Sequence, residues 1–457
     1  MANLSSTTIS GTLTEKRGTA TVTGTTITVD MATGNYFEAN LGFLSGNPAT
    51  FNVTNLPSAS QVGSFIIKIL QSSTPRTLDW GTITGTIASG NIKWKVAPTL
   101  STVRDDIDVY SFTTYDSGAT WFGSVIGQEF KSVSIYGSRG VFCGGDYFTS
   151  GNYQSNPAAA MDSGKMDYVT IDTTGNATTF GALSVARGHT AACSDGQRGV
   201  IGGGRVYNDP GPHVEQNVID YIAIGTPGDA TDFGNLTQAR TSPASTSSPT
   251  RGIWAGGRLQ SSATLYNIID YVSIVTPPTC TDFGDMIGVG GNSALERRMS
   301  CSDGSRGVIA GGYAPNPTYH EGGIEYISFD HPSNGTNFGN LFDSLTYSAG
   351  AGTSDGSRGV FGGGAGKTDE SDIEYITIAT PSNGAAFGDL TRDHYLLAGT
   401  SNGSRGVFGG GWQDSINPSL PYSSNTIDYI TIATTGSATD FGDLTSKRDT
   451  LSACSGN

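Results

Sequence analysis

Apolar residues in this chain fall in short runs that alternate with polar ones and are broken by Gly, Asn, Asp, Ser and Pro. No segment keeps a helical apolar spacing for more than a turn. Ile373 to Ile378 alternates in strand fashion and is rich in β-branched side chains, which predicts a strand. Gly63 to Leu70 places Phe65, Ile67 and Ile69 on one face, and Thr21 to Val29 alternates Val, Thr and Ile. Asp108 to Thr114 and Thr120 to Val125 flank Tyr115-Asp-Ser-Gly-Ala119, which reads as a hairpin turn. The pattern predicts an all-β protein.

From residue 137 onward the pattern repeats six times, about every fifty residues, and a period of that length decides the architecture. One half of the repeat reads Ser357-Arg-Gly-Val-Phe-Gly-Gly-Gly364. The other reads Ile427-Asp-Tyr-Ile-Thr-Ile432, then Asp440-Phe-Gly-Asp-Leu444. The arginine stands at 139, 198, 251, 306, 358 and 405, the tyrosine at 168, 221, 271, 326, 375 and 429, and the outer aromatic at 180, 233, 283, 338, 387 and 441. Each copy reads as four short strands, with Ser354-Asp-Gly356 and Thr380-Pro-Ser-Asn-Gly384 as turns. Four strands per repeat fit a propeller blade. The final Thr450-Leu-Ser-Ala-Cys-Ser-Gly-Asn457 matches His189-Thr-Ala-Ala-Cys-Ser-Asp-Gly196, an inner strand and turn with no blade after it. Either this strand or Ser132 to Ile135 completes the first blade. The first would close the ring and remove the last sheet edge. The recurrent arginines could line the axis or bridge neighbouring blades.

Composition narrows the function classes. Charged residues are only 14%, and Gly accounts for 65 of 457 positions. The net charge of −15, without a basic cluster, argues against nucleic acid or an anionic membrane as partner. No apolar run is long enough to span a bilayer, and Met1-Ala-Asn-Leu-Ser-Ser6 has neither the basic start nor the apolar core of a secretory signal. Five cysteines lie at irregular spacing. Cys193, Cys301 and Cys454 hold one inner-strand position that is Thr353 and Thr400 in other copies, which reads as small buried side chains. The five histidines, 189, 213, 320, 331 and 394, have no metal-ligand spacing, and no metal or cofactor is expected.

The repeat resembles the kelch family. Ala186-Arg-Gly-His-Thr-Ala-Ala192, followed by Asp195-Gly196 and Gly202-Gly203, is its closest single copy. Phe233-Gly-Asn-Leu-Thr-Gln-Ala-Arg240 fits the end of a kelch blade, with Phe where the family usually has Trp. The non-repeating N-terminal stretch resembles a module of bacteriophage structural proteins, found in tail fibres and related appendages of phages of marine bacteria and cyanobacteria. The likeness rests on Met31-Ala-Thr-Gly-Asn-Tyr-Phe-Glu38, Leu70-Gln-Ser-Ser-Thr-Pro-Arg-Thr-Leu-Asp-Trp80, Ala97-Pro-Thr-Leu-Ser-Thr102 and Asp108-Val-Tyr-Ser-Phe112. The expected organisation is therefore an arm over 1–18, a β-sandwich-like attachment module over 19–130, and a six-bladed kelch-like propeller over 131–457.

Motifs that invite enzymatic readings dissolve into the repeat. Gly352-Thr-Ser-Asp-Gly356 and Gly399-Thr-Ser-Asn-Gly403 match G-x-S-x-G, but a strand follows where a nucleophile elbow needs a helix. Gly362-Gly-Gly-Ala-Gly-Lys367-Thr368 has Phe361 where a phosphate loop needs glycine. Recurring carboxylates such as Asp220, Glu325, Glu374 and Asp428 single out no catalytic pair. Specificity is expected where copies differ most, between the glycine run and the tyrosine strand. These segments span 146–165, 205–217, 258–267, 313–323, 365–371 and 412–426. Kelch-like topology puts them on one face, where loops on a rigid scaffold carry recognition. Tyr147, Tyr153, Tyr207, Tyr319 and Trp412 are the candidate ligand-binding residues, through aromatic stacking and hydrogen bonds to a host-surface glycan or protein.

The expectation is a non-enzymatic phage virion protein, a tail fibre or surface appendage. It would be assembled in the host cytoplasm among other virion proteins as a homo-oligomer, without membrane insertion. The alternatives are a decorating protein of head or tail with no receptor role, and a glycan-degrading enzyme.

Overall fold

The computed structural model describes residue 18 and residues 20–41, 48–56, 62–70, 77–85, 90–100, 106–131, 135–148, 160–207, 213–276, 280–289, 293–315, 318–342, 349–365, 371–413 and 423–457. The arm expected over 1–18 lies outside these residues except for Gly18. The chain is all-β and divides into two compact units, Met1–Ser132 and Val133–Asn457.

The first unit contains β1 (Ala20–Thr23), β2 (Thr26–Asp30), β3 (Tyr36–Asn40), β4 (Ala49–Thr54), β5 (Gly63–Leu70), β6 (Leu78–Gly85), β7 (Gly90–Trp94), β8 (Asp106–Thr114) and β9 (Thr120–Lys131). They hydrogen-bond into one sheet of order β1-β2-β4-β6-β7-β9-β8-β5-β3. The pairs β2–β4, β4–β6, β3–β5 and β7–β9 are parallel. The two-residue period of β2, β3, β4 and β5 buries alternate side chains, and these meet in a single core. Phe51 on β4 lies 5.6 Å from Phe112 on β8, although three strands separate these two in the sheet. The sheet therefore folds over so that its halves face each other. A sandwich of two separately bonded sheets is not what the described strands form. Continuous hydrogen bonding joins the two layers.

The second unit is a six-blade propeller. Blade two shows the pattern: Ala191–Ser194 innermost, then Arg198–Gly202, Val218–Ala223 and Thr231–Asn235 outermost, all antiparallel. Blades three to six repeat it from Ala244, Met299, Ala351 and Ala398. In blade one the inner strand is Ser452–Gly456, paired with Arg139–Cys143, so the C-terminal strand closes the ring. Asn457 extends the repair. Its backbone N–H donates to Gly196 O, and its side-chain oxygen accepts from the N–H of Ser138, where a turn residue serves in other blades. Cys143 and Cys454 share this blade and are free, buried thiols.

Blades are joined by small apolar clusters, each drawing residues from two neighbours. The recurrent arginine is the other joint. Each guanidinium lies over the tyrosine of its own blade, 4.2 Å from the centroid at Arg306–Tyr326 and 5.3 Å at Arg251–Tyr271. Each also donates to a carbonyl of the next blade: Arg139 to Ile224, Arg198 to Ile274, Arg251 to Phe329, Arg306 to Ile378, Arg358 to Ile432, and Arg405 back to Ile171. The arginines bridge blades and do not line the axis.

Candidate functional site

Antiparallel order fixes two faces. The inner Ser-Asp-Gly turns and the outer turns lie on one. The connections between second and third strands, and the links between blades, lie on the other. On this second face the segments that vary between copies are built as ribbons: Asp146–Phe148 with Ala160–Asp162, Arg205–Val206 with Val214–Glu215, Arg258–Leu259 with Thr264–Leu265, and Tyr313–Pro315 with Thr318–His320. Each ribbon starts from a glycine pair with positive φ. Gly203 and Gly204 have φ of +68° and +103°, and a Cβ on Gly204 would stand 2.6 Å from Gly188 O. This sharp turn lays the ribbon against the blade's own entry link, through bridges such as Gly188–Arg205 and Tyr395–Trp412.

The predicted aromatics sit on this framework. Tyr147 is half-buried and pairs with Met161 across its ribbon. Tyr207 packs its ring 4.2 Å from His213 and 5.7 Å from the Arg205 guanidinium. Tyr319 lies opposite Ala314. Trp412 is held by backbone bridges to Tyr395 and Ser423. Tyr153 lies outside the described residues. Blades six, one and two carry a connected polar path between three of these aromatics. Ser423 Oγ donates to Asp449 Oδ2 at 2.5 Å, Asp449 pairs backbone to backbone with Asp146, and Asp146 Oδ2 lies 3.6 Å from Arg205. Tyr319, on blade four, stands across the ring from that path.

The axis itself carries a feature that the aromatic reading missed. Where each link meets its inner strand, one non-glycine residue is left-handed: His189, Ser242, Arg297, Ala349, Leu396 and Thr450, with φ between +53° and +63°. Their backbones form a closed circle. Each N–H donates to the carbonyl of the equivalent residue one blade back, from Ser242 to His189 at 2.9 Å through to His189 to Thr450 at 2.8 Å. The left-handed turn aims each N–H along the circle and costs about 1 kcal/mol or more per non-glycine residue. Two residues before each inner strand the sequence reads His, Ser, Arg, Ala, Leu and Thr, and no residue type there marks a left-handed backbone.

This circle forms the mouth of an axial cavity of about 200 Å³. Small residues make the walls, including Ala192, Ser245, Ser300, Gly352 and Gly399. Deeper lies a ladder of serines: Ser247 Oγ donates to Ser194 O, Ser302 to Ser247 O, Ser354 to Ser302 O, Ser401 to Ser354 O, and Ser194 to Ser455 O. Tyr136 fills the far end, with its hydroxyl 2.8 Å from Ser302 O and 2.9 Å from Ser354 Oγ. The cavity is therefore stoppered on the turn face and opens on the variable face.

The charges at the mouth are uneven. Burial, with the Arg205 charge, pushes His189 down to about 4, so its ring is neutral at neutral pH; it lies 2.9 Å from Ser242 Oγ and 3.5 Å from Asp146 Oδ2. Burial opposes ionisation of Asp146, but His189 and Arg205 outweigh it and hold this carboxyl below its ordinary range. Burial and the Asp146 charge push Asp449 up to about 8, so it carries its proton at neutral pH. Beneath the mouth, buried arginines neutralise the acids of the third strands: Arg187 with Asp220 at 2.9 Å, Arg240 with Asp270 at 3.0 Å, Arg298 with Glu325 at 3.2 Å and Arg448 with Asp167 at 2.6 Å. A bulge in each third strand turns these acids inward. Among the described residues, no group of three or more His, Cys, Asp or Glu side chains is placed to hold a metal ion, and no helix is long and apolar enough to cross a membrane.

No protein-family model matches the chain, and no curated protein matches it.

Proposed function

We propose that this chain is a phage virion protein, a tail fibre or related appendage, whose propeller binds a ligand on the host surface without chemistry. The observation that carries the binding reading is the contrast between constant and varied positions. Arg–Tyr joints, serine ladder and turns recur around the ring, while ribbons and mouth residues on one face differ from blade to blade. A scaffold held at every blade by the same contacts can carry six different surface segments without losing its shape. The virion assignment is supported by the resemblance of the N-terminal phrases to phage structural modules. We read this folded-over sheet as a sandwich-like attachment module, joining the chain to other virion proteins as one of several copies.

The test is adsorption. Replacing Tyr147, Tyr153, Tyr207, Tyr319 and Trp412 with Ala in the full chain is expected to reduce binding to host cells at least tenfold, since one engaged aromatic contributes about 1–3 kcal/mol. The melting transition of the propeller should persist. Unchanged adsorption by the folded variant would favour a decorating protein with no receptor role, and release of sugars from host polysaccharide would favour an enzyme.

A further inference from the structure

We infer that the axial cavity is a binding pocket for a single carboxylated sugar unit, with Arg297 at its lip as the carboxylate partner. The inference rests on the reading of the propeller as a surface-ligand binder and names the ligand's class and seat.

Arg297 is the mouth residue of blade four. It is half-buried, its guanidinium lies 5.4 Å from the centroid of the Tyr313 ring, and among the described residues it makes no ion pair and its Nε has no hydrogen-bond partner. Of the propeller's other arginines, four lie in buried ion pairs with third-strand acids, six join blades, Arg205 and Arg258 pair with Asp146 and Glu296, and Arg392 is exposed on the link before blade six. A fork of donors at the lip of a pocket, in a protein of net charge −15, is matched by a carboxylate. With His189 neutral and Asp449 protonated, the charges acting on these two mouth residues are those of Arg297, Arg205 and Asp146, while Glu296 beside Arg297 is paired with Arg258.

The size and lining of the cavity favour sugar. Ligands of drug size need about 300–1,000 Å³, so a cavity of about 200 Å³ takes one small unit and not an extended chain. Its walls mix small apolar side chains such as Ala192 with serine hydroxyls. Ser245 Oγ donates to Ala192 O and Ser300 Oγ donates to Ser245 O, so both hydroxyls have spent their protons on the wall and keep lone pairs as acceptors. Acceptors facing a cavity suit the hydroxyl donors of a sugar. Leu396 and Ala349, across the mouth from His189 and Ser242, provide an apolar edge for the sugar's C–H face. Tyr136 occupies the far end, which favours entry from the variable face.

The experiment is calorimetric titration of the full-length protein with glucuronic, galacturonic and N-acetylneuraminic acids, with glucose and an acetylated Asp–Glu peptide as comparators. At least one acid should bind at millimolar concentration or better, more than tenfold tighter than glucose. Arg297→Gln should weaken that binding at least tenfold, and Arg297→Lys, which keeps charge but loses the fork, should fall between. A variant that does not fold, judged by its melting curve, is replaced by Arg297→Lys alone, which must still show the weakening. No binding of any acid, equal binding of glucose, binding confined to the peptide, or binding unchanged in the Arg297 variants would overturn the assignment. Failure here with adsorption lost in the five-aromatic variant removes only the sugar pocket. Failure of both removes the binding reading itself.

Discussion

The two faces of the propeller are made by the same six-fold chemistry and use it differently. On the turn face the copies converge. Asp195, Asp303 and Asp355 each accept two backbone N–H groups of their turn, and Asn402 and Ser248 do the same in blades six and three. In blade one, whose first two strands are Ser452–Gly456 and Arg139–Cys143, Asn457 fills in. On the opposite face the backbone is as regular, with its circle of left-handed residues, but the side chains on it differ in every copy. Backbone geometry is thus conserved around both faces, and only one of them spends its side chains on it. The other leaves them available.

That freedom depends on what lies underneath. The ribbons and mouth sit above buried Arg–carboxylate pairs, and the comparison breaks if these can be removed without loss. Arg187→Met would leave the Asp220 carboxylate, fully buried beside Ser184, without its cation. Truncating one partner of such a pair costs about 3–5 kcal/mol, so the propeller transition should fall by several degrees or more in a thermal melt. Adding Asp220→Leu should recover most of the loss, because two apolar groups leave no uncompensated charge. Blade six hints that alternatives exist. His394 takes the place of the arginine, and burial raises Asp428 while Thr391 supplies its hydrogen bonds.

A middle-sized effect separates the mouth from the turns by pH. Asp449 holds a proton in the folded protein up to about pH 8, whereas its ordinary value is 3.8. The folded state therefore binds a proton that the unfolded chain has released, and this carboxyl makes stability fall as pH rises from about 4 to 8. His189 works the other way, at lower pH. Its value of about 4, against 6.5 ordinarily, makes stability fall as pH drops below 6.5. Between 6.5 and 8 the Asp449 slope stands without opposition from His189. Asp449→Asn keeps an oxygen for the Ser423 hydroxyl and has no proton to lose. Melting curves from pH 6.5 to 8 should decline for the parent and flatten for this variant. Equal slopes would show that the Asp146–Asp449 pair is not the cost the fold carries at this face.

Much of this was legible in the sequence, for a physical reason. A repeat multiplies weak signals, so the six arginines, tyrosines and glycine pairs specified blades without any single strand being certain, and left open whether the arginines line the axis or bridge blades. The closing strand was one of two candidates, because Thr450–Asn457 repeats an inner-strand phrase while Ser132 to Ile135 competes with it, and the pairing with Arg139–Cys143 decides for the first. The N-terminal sheet was not legible as one sheet. It has no repeat, and alternation shows which residues face inward without showing which strands join. The mouth was missed because its residues are ordinary ones in an unusual backbone conformation, and conformation is not written in residue type. Tyr136 was missed because a lone tyrosine before a strand says nothing of the axis it fills.

The smallest effect is the sharpest test of the division between faces. Asp303→Ala removes the acceptor for the N–H groups of Ser305 and Arg306, at 2.8 and 2.6 Å, on a turn at the protein surface. Such bonds contribute about 1 kcal/mol net, so a modest drop in melting temperature is expected. Asp303→Asn should be close to neutral, because Asn402 already performs this role in blade six. Neither change touches the mouth, which lies at the other end of the inner strands, so host adsorption and acid-sugar binding should match the parent in both. A loss of binding in Asp303→Ala that outruns its loss of stability would mean that the turn face reaches the ligand, or that the serine ladder transmits strain along the axis. Either would end the separation of a fixed face from a recognising one.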